Sequence, residues 1–326
     1  MGGWVWSLDR AGHTCAMSHV PDLTVVAIPL YILTMSLEAY LHWRRPRTGQ
    51  QGYSWRDART SIAMGLGSLV VGAIFAGVQL GFLMFFSRFA ILDLGSVINA
   101  GSGLALVAAW LVLFLADDLA YYWFHRVHHE SRFFWAAHVT HHSSQHYNLS
   151  TALRQSWTPL TAWVFYIPLM LLGFTPAQWA FVHSINLLFQ YWIHTERIDR
   201  MPRSFEFAFN TPSHHRVHHG SNPEYLDSNY GGILIVWDRM FGSFVSEDAP
   251  VRYGLTTNIN TYNPVKVAYH EFYAIGRDIT RACSWRDRFG YTFSHPGWRP
   301  SEGDYGVMVD AKEEDRHARV AATESE

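Results

Sequence analysis

Thirteen of the 19 histidines in this 326-residue chain fall between His125 and His219. Two sets repeat one spacing: His138, His141 and His142, then His215, His218 and His219, each at i, i+3, i+4. On an α-helix these three positions cover an arc of about 100° and project side by side. His125 and His129 form an i, i+4 pair, and His194 follows Gln190 at the same interval. Brought together, these nine imidazoles could hold metal. A mononuclear zinc site uses three or four protein ligands, so nine rings suit two ions. Imidazole accepts zinc, copper, iron or nickel, so the count argues for two metals without naming them. The only two cysteines, Cys15 and Cys283, lie far apart and form no CxxC, which leaves nitrogen and oxygen as the donors.

Other histidines carry less. His128 and His214 adjoin better-placed neighbours and read as outer or alternate positions, while His146 and His183 read as hydrogen-bonded structural residues. Asp118 shares a helical face with His125 and His129, and Glu130 follows directly. Both carboxylates are candidates to accept the second ring nitrogen of a ligating imidazole. Asn148 and Arg154 lie beside the second histidine set as candidate headgroup or cofactor anchors, with ordinary loop hydrogen bonding the simpler reading.

The elements that must position these rings are apolar. The chain is 49% hydrophobic and only 16% charged, against roughly 25% for a soluble domain. Its net charge of −2 supplies no polycation for nucleic acid. Ile62 to Phe86 and Val97 to Ala116 are uncharged runs of 25 and 20 residues, long enough to cross a bilayer. Leu23 to Leu41 reads as a further span carrying Glu38 and a kink candidate, Pro29. Pro159–Leu172 and Ala177–Ile193 flank a Gly173–Pro176 turn and read as a helical hairpin that spans or re-enters. Glycines 65, 67, 72, 77 and 81 suggest close helix packing within the chain rather than a dimer face. Met1 to Val20 lacks a secretory pattern, so the first span is expected to direct its own insertion.

Arg44, Arg45, Arg47, Arg56 and Arg59, opposed by Asp57, are expected to hold their loop on the cytoplasmic side. The helix after Val97 then continues past Ala116 and carries His125 about 13 Å beyond the hydrocarbon. With an even-crossing hairpin, every histidine set falls on one face. The expected fold is all-α: a polytopic integral-membrane helical bundle with a cytoplasmic histidine-rich helical cap holding a di-metal site. Its divisions are 1–116 (N-terminal transmembrane helices), 117–246 (histidine core, with the hairpin at about 158–194), 247–310 (cytoplasmic extension with one helix at Val265–Ala282) and 311–326 (a polar, disordered tail).

The order His125-Arg126-x-x-His129, His138-x-x-His141-His142 and His215-x-x-His218-His219 after apolar spans resembles the fatty acid hydroxylase and sterol desaturase superfamily of integral-membrane di-iron enzymes. The strings from His141 to Ser156 and from Phe209 to Phe244 are most similar to its alkylglycerol monooxygenase-like branch, and the likeness runs from Asp117 to about Pro300. The resemblance implies that His125, His129, His138, His141, His142, His194, His215, His218 and His219 bind two iron ions. Gln190 stands where hydroxylases of the superfamily often carry another histidine. The resemblance further implies an O2-dependent monooxygenase or desaturase acting on a lipid (ether lipid, sterol or fatty acyl chain). It also implies a separate electron donor, whether tetrahydropterin, ferredoxin or cytochrome-type, and a bacterial inner membrane or endoplasmic reticulum location. The rival readings are a metal transporter, disfavoured because the two uncharged spans lack the ionisable residues of an ion path, and a membrane zinc hydrolase with Glu130 as base.

Overall fold

A computed structural model describes residues 22–300, so the readings made above for Met1–Val20 and for the 311–326 tail lie outside the described residues. Regular structure among the described residues is helical, with two isolated β-bridges and no sheet. Helices α1 (Leu23–Val26) and α2 (Ile28–Arg44) are separated at Ala27, just before Pro29. Proline cannot donate to the preceding turn, so the break sits where the ring demands it. Helix α3 (Trp55–Ser87) contains the whole uncharged run from Ile62. The second run is divided. Helix α4 (Leu94–Ala100) stops, Gly101 and Ser102 are extended, Gly103 takes φ +59°, and α5 then runs from Gly103 to Glu130. The Gly-Ser-Gly sequence, with a left-handed conformation that favours glycine, ends the helix inside the run Val97–Ala116.

Both α3 and α5 are long and apolar enough to cross a membrane. Only 6% of the most apolar window of α3 is buried within the protein, so its side chains face outward over most of their length. The hairpin is built from a 3-10 turn at Trp163–Tyr166, helix α7 (Ile167–Leu171) and helix α8 (Pro176–Trp192). Thr175 and Gln178 close a reciprocal capping box at the start of α8. The hairpin packs along α3 and α5 through a core that includes Leu83, Leu113, Tyr166, Met170 and Trp179. Its turn is bonded to the link between α3 and α5: Ile91 N donates to Leu171 O at 2.8 Å and Gln178 Nε2 to Gly95 O at 3.0 Å. The hairpin therefore reaches the end of the bundle remote from the histidines.

At the opposite end, the arginine-bearing segment after α2 packs on the histidine region. Gln51 N donates to Glu196 at 2.8 Å, and Asn148 Nδ2 donates to Gly52 O at 3.0 Å. There the chain forms α6 (Arg132–His142), α9 (Arg203–Ala208), α10 (Pro212–His218) and α11 (Val236–Phe241). Helices α12 (Pro264–Arg281) and α13 (Trp285–Phe293) pack against α6, where Arg132 donates to Glu271 and Asp278 at 2.7 and 2.8 Å.

The glycines of α3 divide into two groups. A Cβ on Gly65 would lie 2.8 Å from Leu153 O, and one on Gly67 would lie 2.4 Å from the Trp157 indole, whereas Gly72, Gly77 and Gly81 meet nothing within 4 Å. Intramolecular packing accounts for the first two alone. The indole is fixed by its hydrogen bond to Met64 O at 2.9 Å, so it cannot yield freely. Gly67→Ala is expected to destabilise the fold by about 1–3 kcal/mol through overpacking. Gly77→Ala should stay within about 0.5 kcal/mol. Thermal unfolding of both variants in one detergent checks the contrast.

Candidate metal centre

The last two turns of α5 carry His125 and His129, α6 carries His138, His141 and His142, and α10 carries His215 and His218 with His219 as its C-cap. His194 follows α8 directly. These elements gather the nine rings into two groups, His125, His129, His138, His142 and His218 in one, and His141, His194, His215 and His219 in the other. Within each group the nitrogens lie within 4.8 Å of one another. The groups adjoin, with the His142 and His219 rings stacked at 4.4 Å. Each i, i+3, i+4 set is split: His138 and His142 go one way and His141 the other, while His215 and His219 go one way and His218 the other. Helical geometry explains this, because i and i+4 differ by about 40° whereas i+3 swings about 60° to the opposite side.

The donor set fits bound metal. Nε2 atoms face one another at 2.9 Å between His125 and His138, 3.1 Å between His138 and His142, and 3.1 Å between His142 and His218. In the second group His194 Nε2 lies 3.1 Å from that of His141 and 3.0 Å from that of His215. With metal–nitrogen bonds of about 2.1 Å, an octahedral edge is about 3.0 Å and a tetrahedral edge about 3.4 Å. The tautomers point the same way. His125 Nδ1 meets Tyr230 O at 2.8 Å, His194 Nδ1 meets Gln190 O at 2.7 Å, and His218 Nδ1 meets Ser228 O at 3.0 Å. A carbonyl only accepts, so each Nδ1 carries the proton and each Nε2 presents a lone pair to its neighbours. The Nε2 atoms of His129 and His219 are buried with no hydrogen-bond partner. A cation resolves this convergence of lone pairs.

Burial, reinforced by neighbouring imidazoles, holds His138, His141, His142, His215, His218 and His219 well below the ordinary value of 6.5, so these rings are neutral at pH 7. A histidine whose folded-state value is depressed costs nothing above its unfolded value. Below it, the unfolded chain takes up protons that the folded chain refuses. Metal-stripped protein should therefore lose thermal stability progressively as pH falls below 6.5. A melting temperature unchanged from pH 7.5 to 5 would contradict neutral, buried rings.

The two carboxylates singled out from sequence do not contact these imidazoles. Asp118 accepts from Ile233 N at 2.8 Å, Leu234 N at 3.0 Å and Trp237 Nε1 at 2.9 Å. Asp238 accepts from Tyr230 N and Gly231 N, both at 2.7 Å. Together they pin the loop whose Tyr230 carbonyl receives His125, so Asp118 acts through the backbone rather than on a ring. Gly232 lets that loop press on α5 and α8, since a Cβ there would sit 2.6 Å from Asn186 Oδ1. Glu130 lies at the surface and pairs with Arg126 at 2.8 Å, out of reach of the rings it would have to serve as a base. Sequence spacing missed Asp227, whose two oxygens lie 3.9 Å from His129 Nδ1 and 3.3 Å from His295 Nε2. Those contacts join residues far apart in the chain, so no local pattern marks them. Asp227 raises the His295 imidazole above its ordinary value.

The remaining polar residues are structural. His128 bonds Phe124 O at 2.7 Å and Thr161 at 3.1 Å, and His183 bonds Asp117 at 3.2 Å. Gln190 donates to Asn186 at 2.7 Å and joins neither group. Asn148 holds Ser150 and Gly52. Arg154 is fully buried and pairs with Asp57 at 3.0 Å, donating also to Ser143 Oγ at 3.0 Å and to Thr140 O at 3.2 Å, which ties the start of α3 to the end of α6. Neither residue is placed as a headgroup anchor. Asp57→Ala strands the buried guanidinium and should cost about 3–5 kcal/mol. Adding Arg154→Met should restore much of that loss, as read by thermal unfolding of the single and double variants.

Residues 110–243 match the fatty acid hydroxylase family. The chain is also similar to human alkylglycerol monooxygenase, at 39% identity over 300 residues covering 91% of this chain and 64% of the relative. The Xenopus tropicalis alkylglycerol monooxygenase is 38% identical over 88% of this chain and 62% of its own. The ornithine lipid hydroxylase OlsE of Rhizobium tropici is 27% identical over 41% of this chain and 40% of its own. The chain thus spans slightly less than two thirds of the length of the alkylglycerol monooxygenases. No solved structure gives a significant match.

Proposed function

We propose that the chain is an integral-membrane di-iron oxygenase that uses O2 to hydroxylate or desaturate a C–H bond of a lipid. The carrying observation is the two adjoining buried groups of five and four imidazoles. Five nitrogens exceed a tetrahedral zinc site. Neither group contains a carboxylate among the described residues, so the donor set is imidazole throughout. The named activities of the relatives, a monooxygenase and a lipid hydroxylase, favour oxidation of a lipid. In this reading the Leu23–Leu41 segment, α3 and α5 cross the bilayer, the hairpin crosses or re-enters it, and the 117–246 core meets the cytoplasmic face.

Iron held there would supply O2 activation and removal of hydrogen from an unactivated carbon. The protein's part is to hold the nine rings neutral, to fix the tautomers of His125, His194 and His218 from the Ser228–Tyr230 loop and Gln190, and to bury the rings away from bulk water. Electrons come from a separate donor of tetrahydropterin, ferredoxin or cytochrome type. An ether lipid is the first substrate to try, with sterols and fatty acyl chains beside it.

Purified protein is expected to contain iron as its principal metal. His141→Ala and His218→Ala, one from each group, should lower bound iron and abolish lipid oxidation. His317→Ala, in none of the histidine motifs, should do neither. Under 18O2 the label should enter a lipid alcohol, or water if an alkene forms. Turnover that leaves lipid unchanged and both pools unlabelled would defeat the reading.

A further inference from the structure

Helices α12 and α13 expose matching apolar rows. On α12 the row is Val265, Tyr269 and Tyr273, and on α13 it is Trp285, Phe289 and Phe293, each at i, i+4, i+8 and each exposed. That spacing confines three side chains to an arc of about 80°. Tyr273 and Trp285 are 75% and 76% exposed, which is inconsistent with a core position. The opposite face of α12 is already used: Val267 and Ala268 are buried against Met64, and Glu271 and Asp278 are turned to Arg132. Lys266, Arg286 and Arg288 stand exposed beside the rows.

Each row is continuous with the lipid-facing surface of the bundle. Tyr269 contacts Trp157 at 6.3 Å, Trp157 lies on Gly67 of α3, and the outward apolar face of α3 begins beside it at Leu66. Thr60, one turn before Met64, donates to Tyr262 O at 3.0 Å, which sets the start of α12 at the mouth of that span. On the other side Phe293 contacts Phe133 at 5.8 Å, and Phe134 contacts Phe165 of the hairpin at 5.9 Å. Amphipathic aromatic side chains with flanking cations are the composition that rests at a bilayer's headgroup level, and anionic lipid attracts the cations.

We propose that α12 and α13 form a foot seated in the headgroup region of the membrane, their two rows dipping toward the acyl chains and their basic flanks meeting phospholipid phosphates. This rests on the membrane-spanning reading above and adds a second, peripheral contact to it. The foot is clamped to α6, the helix that carries His138, His141 and His142, so the histidine groups would sit at a fixed height over the lipid.

The test uses the full chain in nanodiscs containing phosphatidylcholine and phosphatidylglycerol, with both native cysteines replaced by serine. An environment-sensitive fluorophore is placed on Tyr273→Cys, Phe289→Cys, Val78→Cys and Asp248→Cys. Positions 273 and 289 should be quenched by shallow spin-labelled lipid and shielded from iodide, with 78 quenched by deep spin-labelled lipid and 248 open to iodide. In a separate protein that keeps Cys283 and has only Cys15 replaced, a label on Cys283, exposed between the two helices, reports the same interface without altering either row. If 78 lies in lipid while 273, 289 and 283 are as open to iodide as 248, the foot is wrong and the spans stand. Shielding of 273 and 289 from both iodide and spin-labelled lipid would assign the rows to a protein partner and overturn the proposal equally. If 78 itself is outside lipid, the spanning reading falls and takes the foot with it.

Discussion

Nine buried imidazoles facing one another are the constraint on which the rest of the structure turns. Neutral rings with lone pairs about 3 Å apart repel, and protonating them in the interior costs more still. Cations in the space between them would relieve that convergence, and the fold is a scaffold that keeps the rings buried and turned toward one another. That scaffold is assembled from the ends of apolar helices, where the chain leaves the bundle and can present polar atoms without exposing them to hydrocarbon.

For His125, His194 and His218, orientation comes from backbone carbonyls rather than from carboxylates. Tyr230 and Ser228 offer their carbonyls to rings in the first group, and the loop that bears Tyr230 is fastened by Asp118 on α5 and Asp238 on α11. A carboxylate beside a neutral imidazole would favour the protonated form, whereas a carbonyl fixes the tautomer and adds no full charge. The second group follows the same logic through Gln190 O. Further out, buried charges are paired across long sequence separations: Arg154 with Asp57, and Arg216 with Glu247 at 2.7 Å.

Local features were readable from sequence; long-range ones were not. The helices bearing His125 to His142 follow from spacing, and the apolar run of α3 follows from the absence of charge. Helical periodicity separates the i+3 ring from the i and i+4 rings of each set, but which rings of one set join which of the other depends on partners 53 to 76 residues away, which periodicity cannot supply. Asp227 and Asp57 were invisible for the same reason. The break at Gly101–Gly103 was present in the sequence, but a count of uncharged residues passes over it because hydropathy does not register backbone conformation.

Helix α8 is held at both ends by different things. Its first residues are bonded to the link between α3 and α5, and its last turn hands on to His194, so a rod of about 26 Å joins the far loop of the bundle to one corner of the four-ring group. A tilt of that rod, of the kind that compensates a thinner or thicker bilayer, displaces the imidazole at its end. On the membrane-spanning reading proposed above, lipid thickness and the position of the His194 ring would be linked through this one helix.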